Sequence, residues 1–235
     1  MQKSTVEQIR QRFDQDVERF SSLESGNTAQ VDSVLSLELI AEAAAATNPN
    51  ATAVLDVGCG AGNYTLKLLQ RLPHLDVTLF DLSQPMLERA RERVSQVTSG
   101  SIQTIQGDIR ETDIGEAAYD IILAAAVLHH LREEDEWRAV FAKFYTALRP
   151  GGTLWIYDLI QQTMPELEAG MKQRYAVYLV AFKGEAYRDM VFGWQEQEDT
   201  PRPLMFQLDM LRAVGFRETD ILHKNTAFAA FGARR

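Results

Sequence analysis

The chain predicts an α/β fold: a mostly parallel sheet with helices on both faces. Three observations predict it. Strand-like and helix-like apolar runs alternate through the central part of the 235 residues, and strands alternating with helices imply a parallel sheet covered on both sides. The first strand-like run, 52–57, passes directly into Asp56-Val57-Gly58-Cys59-Gly60-Ala61-Gly62. Small residues there let the backbone turn sharply and approach a ligand before a helix begins near Asn63, whose first N–H groups are unpaired. Finally, each of the next three strand-like runs ends in residues suited to a nucleoside.

The elements follow in order. Two periodic helices, 6–20 and 31–46, are parted by Ser21-Ser22 and Gly26-Asn27-Thr28, and Asn48-Pro49-Asn50 breaks the pattern before the first strand. The second strand, 76–80, ends at Asp81, and the third, 102–105, leads into Gly107-Asp108-Ile109. The fourth, 119–124, opens into Ala125-Ala126-Val127-Leu128-His129-His130. Trp137, Val140, Phe141, Phe144 and Leu148 mark a helix with a core-facing stripe, which Arg149-Pro150-Gly151-Gly152 is expected to stop. A fifth strand, 153–157, precedes Asp158. The stretch 161–203 shows helical spacing at Met171, Tyr175, Tyr178 and Phe182, and reads as an inserted cover. Leu204, Leu208, Leu211 and Val214 define a last helix, closed by Gly215, and strands follow at 217–222 and 226–231. The chain shows no internal repeat or low-complexity tract. Its expected organisation is an N-terminal helical lid or cover, 1–50, and a ligand-binding domain, 51–235, carrying the insertion.

Glycines after a first strand are shared by many dinucleotide sites. Here the third glycine falls two residues after the second, not three, and Asp56 precedes the first. A pyrophosphate is repelled by that carboxylate, whereas an ammonium or sulfonium is attracted to it in a partly desolvated cleft. The turn therefore suits S-adenosylmethionine better than NAD. Asp81, about twenty residues beyond the loop, is placed to accept both ribose hydroxyls. Asp108 with Ile109 suits an adenine amino group and ring face.

With DVGCGAG, LFDLSQPML, IQGDIR, YDIILAAAVLHHL and LRPGGTLWIYD in this order, the chain resembles the class I S-adenosylmethionine-dependent methyltransferases over roughly residues 50–160. The resemblance implies a Rossmann-like, seven-stranded sheet, mostly parallel with one antiparallel edge strand made by the last two runs. It implies that Gly58, Cys59 and Gly60 cradle the methionine part, that Asp81 and Leu82 hold the ribose, that Asp108 and Ile109 frame adenine, and that the backbone at Ala124 completes the wall. Asp56, Gly62 and Met86 join the expected cofactor set.

Composition narrows the function. The 24 basic against 33 acidic residues, a net charge of −9, disfavour a nucleic-acid partner. The only cysteine, Cys59, permits no intrachain disulfide or cysteine metal cluster and reads as a small loop residue. No run has the length of a signal core or a membrane span, so a cytoplasmic protein with no membrane partner is expected. A small-molecule acceptor is the expected partner, and a homo-oligomer is compatible with the chain.

Acceptor chemistry rests on fewer residues. Methyl transfer needs donor and acceptor held in line, with a base only where the acceptor loses a proton. His129 and His130 stand beyond the fourth strand, where ligands bind such sheets; they read either as a turn cap or as a base or acceptor-orienting donor. No metal is expected, since adjacent histidines should point apart and Glu133, Glu134 and Asp135 read as a solvated helix start. Arg174, Tyr175 and Tyr178, among the basic and aromatic residues of the cover, are the expected acceptor contacts. The loop 196–202 reads as a surface connection. Phe13, Asp14 and Arg19 resemble the front helix that many small-molecule methyltransferases fold over the cofactor. The leading expectation is methyl transfer to a small molecule. Beside it stand a non-catalytic S-adenosylmethionine-binding scaffold, a carboxy-S-adenosylmethionine synthase-like or tRNA-modifying enzyme, and an NAD-dependent oxidoreductase. The synthases have Ser where this chain has Gly60, and the oxidoreductase requires the longer glycine spacing.

Overall fold

The computed structural model describes residues 3–21 and 29–235. Seven strands, β1 (Ala53–Val57), β2 (Asp76–Asp81), β3 (Ile102–Gln106), β4 (Tyr119–Ala125), β5 (Leu148–Leu159), β6 (Glu218–Asn225) and β7 (Phe228–Arg234), form one sheet in the order β3-β2-β1-β4-β5-β7-β6. β1 to β5 run parallel, and β7 is antiparallel to both β5 and β6. The antiparallel strand thus lies one place in from the edge, and β6 is outermost. Strand order reverses between β1 and β4, opening a crevice at their carboxyl ends.

Around the sheet lie α1 (Val6–Gln15), α2 (Val17–Ser21), α3 (Ser33–Thr47), α4 (Asn63–Leu69), α5 (Gln84–Val94), α6 (Glu134–Ala147), α7 (Pro165–Lys183), α8 (Glu185–Glu198) and α9 (Leu204–Ala213). The strand side chains alternate between two cores. On β4, Ile122 and Ala124 join Trp137, Phe141 and Phe144 of α6, while Ile121 and Leu123 face the opposite core with Ile40 of α3, Leu68 of α4 and Leu87 of α5. Burial on both faces explains why the parallel strands read as continuous apolar runs. Among the described residues, no helix is long and apolar enough to cross a membrane.

Three elements differ from expectation. The helix read over 6–20 breaks at Asp16, whose N–H donates to the Phe13 carbonyl at 3.0 Å, giving α1 and α2. Pro150, Gly151 and Gly152 do follow the end of α6, but they belong to a long β5, with Gly151 in the left-handed region at φ 80°. The cover is two helices, α7 and α8, parted at Gly184, where φ is 86°.

Close packing of β5 on β7 depends on Gly232, because a Cβ there would stand 2.2 Å from Cε3 of Trp155. Gly232→Ala is expected to lower unfolding free energy by about 1–3 kcal/mol, the usual cost of overpacking. Gly170→Ala, in α7 with nothing within 4 Å of a new Cβ, should instead raise it by about 0.5–1 kcal/mol. Denaturant unfolding of both variants checks the pair.

Candidate active site

The glycine loop is clamped from both sides. Gly58 and Cys59 donate their N–H groups to the Phe80 carbonyl at 2.8 and 3.0 Å, and Gly60 donates to Asp81 Oδ2 at 2.8 Å. Ser83 N–H donates to the other Asp81 oxygen at 2.9 Å. Gly58 sits at φ 67°, and a Cβ there would lie 2.7 Å from the Val127 side chain at the end of β4. Only glycine meets both the left-handed backbone and the close approach. The loop therefore sits in the crevice where the strand order reverses.

A cleft of about 1130 Å³, counting its open mouth, lies over this loop. Gly58, Cys59, Gly60, Asp81, Leu82, Met86, Asp108 and Ile109 all line it. The site suits a nucleoside: a carboxylate with lone pairs to spare for hydroxyls, apolar walls for a ring, and a buried Tyr64 hydroxyl without a hydrogen-bond partner. Burial pushes the Asp81 carboxyl up to about 6, against the pull of the Ser83, Gly60 and Leu82 N–H groups. Burial opposes ionisation of Asp108 too, but Arg110 outweighs it and holds this carboxyl below its ordinary value. Arg110 forks onto Asp108 at 3.0 and 2.6 Å and reaches Glu136 at 3.2 Å. Lys143 pins the same loop by donating to the carbonyls of Ile109 and Thr112 at 2.5 and 2.8 Å. Lys143 was not legible as part of the site, since it reaches this loop from α6, 34 residues beyond Ile109, whereas Arg110 stands only two residues from Asp108.

Three expected cofactor residues lie outside the cleft wall. Asp56 is 1% exposed and accepts the Thr65 hydroxyl at 2.6 Å, so it fixes α4 beneath the loop instead of facing a sulfonium. Burial raises its carboxyl to about 6. Gly62 caps α4 at φ 82° and faces Ala90 of α5. Ala124 is fully buried, and Ala125 and Ala126 form the wall in its place. Cys59 is buried, and burial pushes its thiol well up, which keeps it protonated.

A second chamber of about 710 Å³ shares Phe13, Phe20, Gln30, Ala126 and His130 with the first. Tyr175 of α7 and Trp194 of α8 line it, together with Arg12 and Arg19 from α1 and α2. Tyr175 also donates its hydroxyl to the Ala29 carbonyl at 2.6 Å. Tyr178 stacks beside Tyr175, with centroids 6.4 Å apart, and lines neither cavity. Arg174 is exposed and lines neither; its helix presents it to the side away from the chamber, and the guanidinium groups come from the N-terminal helices. Asp14 pairs with Arg10 at 2.5 Å and is not on the wall.

The loop 196–202 is not a simple surface connection. Glu198 is 5% exposed and takes a fork from Arg12 at 2.8 and 2.5 Å. Ser4 N–H and Lys3 donate to the Gln197 and Glu196 carbonyls at 2.9 and 3.0 Å. These bonds tie α1 to the end of α8 across the chamber. The sequence signals of prolines and charge pointed to solvent because the neutralising cations lie nearly two hundred residues away.

The histidine pair occupies a short 3-10 turn, Leu128–His130. Asp158, fully buried at the end of β5, accepts from the N–H groups of Leu128 and His129 at 2.7 and 3.2 Å and bonds Nδ1 of His129. Contrary to the expected divergence, the two rings converge, with centroids 4.3 Å apart, because the tight turn folds both over Asp199. His129 Nε2 and His130 Nδ1 lie 3.6 and 3.4 Å from one Asp199 oxygen, and the three atoms fall within 4.8 Å of one another. Burial works against charge on His129, but Asp158 and Asp199 outweigh it and hold the ring at about 9. Burial and the neighbouring His129 charge push His130 well below its ordinary value. Asp199 is raised to about 6, chiefly by burial. These surroundings favour charge on His129 and the neutral form of His130. Apart from the 3.4 Å approach of Nδ1 to Asp199, the ring nitrogens of His130 are buried without a well-aligned hydrogen bond among the described residues.

Residues 54–152 match the family described as a methyltransferase domain. An uncharacterised methyltransferase of Mycobacterium tuberculosis is 31% identical over 118 residues, 50% of this chain and 54% of the relative, so the match spans about half of that relative's length. The demethylmenaquinone methyltransferase of Listeria monocytogenes is 26% identical over 70% of each chain. Among solved structures, the Burkholderia thailandensis 1,6-didemethyltoxoflavin-N1-methyltransferase, with its substrate and S-adenosylhomocysteine bound, superposes with a TM-score of 0.65 at 17% identity. That likeness covers 97% of this chain and 87% of that one.

Asp81 faces Asp14 from α1 and Asp56 from β1, both of which favour its protonated form. Ribose hydroxyls donate to the ionised form, so affinity for an adenosyl ligand is expected to hold above pH 7 and to fall below about pH 6. Asp81→Asn should bind about 1.5–3 kcal/mol more weakly and lose the pH dependence. Calorimetry from pH 5 to 8, on roughly that span of the titration, checks both; an unchanged slope in the variant assigns the titration elsewhere.

Proposed function

Residues 54–152 are a class I S-adenosylmethionine-dependent methyltransferase domain, and from that premise we propose that the chain methylates a small-molecule acceptor held in the second chamber. The observation that carries this reading is the common wall: Ala126 and His130 border both the cofactor cleft and the chamber. In-line displacement requires the acceptor atom to approach the methyl carbon from the side opposite sulfur. Lining residues common to cleft and chamber put the two side by side, which supports that approach.

When bound, S-adenosylmethionine supplies a methyl carbon whose bond to sulfur breaks with the electron pair left on sulfur, giving S-adenosylhomocysteine. The residues of this chain hold and orient. The backbone at Gly58 to Gly60 would lie against the methionine part, Asp81 with Leu82 would hold the ribose, and Asp108 with Ile109 would frame the adenine, all of them on the cleft wall with Met86. On the acceptor side, a hydroxyl oxygen forms the new bond with its lone pair, and His130 takes the released proton. Its place at the wall common to cleft and chamber supports that task. His129, held as an imidazolium by Asp158 and Asp199, positions the turn. A pair of titratable groups with environments that drive them apart supports this division of roles.

The Listeria and Burkholderia relatives are named for small-molecule acceptors, and the net charge of −9 opposes a nucleic-acid acceptor. A chamber of about 710 Å³, counting its open mouth, beside the cofactor cleft favours an enzyme over a non-catalytic scaffold.

The test is release of S-adenosylhomocysteine across a panel of small hydroxyl and amine acceptors. With a working acceptor, His130→Gln is expected to lower kcat by about 10²–10⁴-fold, far more than it changes cofactor affinity. Full-rate turnover in the variant would remove His130 from the chemistry.

A further inference from the structure

The chamber is aromatic and donor-rich at once. Phe13, Phe20, Tyr175, Trp194 and Phe228 all contribute rings to its wall, which favours a flat acceptor. Two guanidinium groups share one indole: Cζ of Arg12 and Cζ of Arg19 lie 5.1 and 5.3 Å from the Trp194 ring centroid. The two are not equivalent. Arg12 spends Nε and Nη2 on the buried carboxylate of Glu198. Arg19 meets Asp16 through Nη2 alone, at 2.7 Å, while its Nε is buried and has no hydrogen-bond partner among the described residues. A buried charged donor left without an acceptor is costly, and this one belongs to a residue of the chamber wall.

Among the described residues, the carboxylates beside these guanidinium groups and on the chamber wall are already engaged. Glu198 is taken by Arg12, Asp199 faces the histidine pair, and Asp16 is divided between Arg19 at 2.7 Å and Arg12 at 3.8 Å. Glu198 and Asp199 line the same wall, but among the described residues no oxygen acceptor meets the Nε edge of Arg19. A carboxylate meets a guanidinium edge with two parallel bonds, a fit that a hydroxyl or amine does not match.

On the methyl-transfer reading above, we propose that the acceptor is a planar aromatic hydroxy acid, with its ring among Phe13, Tyr175 and Trp194, its carboxylate on Arg19, and its hydroxyl at the wall shared with the cofactor cleft. Arg19 is then the specificity-determining residue. It selects anionic over neutral and cationic phenols, and it does so without touching the nucleoside.

Calorimetry on the full chain saturated with S-adenosylhomocysteine tests this, with 3- and 4-hydroxybenzoate, 4-hydroxycinnamate, phenol, 4-hydroxybenzyl alcohol and tyramine as probes. At least one hydroxy acid is expected to bind roughly tenfold or more tightly than its neutral and cationic counterparts. Arg19→Gln should erase that preference while leaving S-adenosylhomocysteine affinity unchanged, and Arg19→Lys should restore part of it. Equal or tighter binding of phenol or tyramine, no binding of any hydroxy acid, or a preference that survives in Arg19→Gln overturns the proposal. Failure of S-adenosylhomocysteine itself to bind overturns the underlying reading as well; its binding without acid preference overturns the acceptor assignment alone.

Discussion

The Asp81 carboxylate holds two loops and one ligand position together. Its oxygens take the N–H groups of Gly60 and Ser83, which join the turn after β1 to the turn after β2. The Phe80 carbonyl adds the N–H groups of Gly58 and Cys59 to the same join. Loops at the ends of parallel strands would otherwise be free to separate, and each unpaired N–H buried beneath a ligand would be costly. With those groups satisfied by β2, the glycine turn is set before any ligand arrives. Preorganisation of this kind lowers the ordering cost of binding.

A second charged centre organises the acceptor side. Asp158 closes β5 against the turn after β4 through two backbone N–H groups and the His129 ring. Thr200 N–H on the His129 carbonyl at 2.7 Å, with Arg12 on Glu198, brings the end of α8 and the N-terminal helix to the same point. Four distant parts of the chain therefore meet around one imidazolium. Removing one member would leave the others as buried, unpaired charges, which is why such clusters act as units.

What was legible in the sequence follows from distance along the chain. The positions of the strands along the chain, the glycine turn, Asp81 and the Asp108-Ile109 pair are written in local patterns that repeat the geometry of one strand and its following turn, and the sheet 3-2-1-4-5-7-6 carries them. Asp56 misled because its place before the glycines says nothing about which face of β1 it occupies; it points beneath the loop to Thr65. Ala124 differs from Ala125 by one residue, and a strand places neighbours on opposite faces. The acceptor chamber was least legible. Its walls pair residues 12 and 198, 19 and 194, and 129 and 199, and no local pattern of charge or periodicity records such partners. Arg174 therefore stood out in sequence although Arg12 and Arg19 supply the cations.

The central claim is that the turn from Gly58 to Gly62 serves a sulfonium nucleoside and not a dinucleotide. Parallel calorimetric titration of the full chain with S-adenosylmethionine, S-adenosylhomocysteine and NAD tests it most directly. The account predicts binding of the first two in roughly the micromolar range and none of NAD. Binding of NAD alone, or of none of the three, would contradict it.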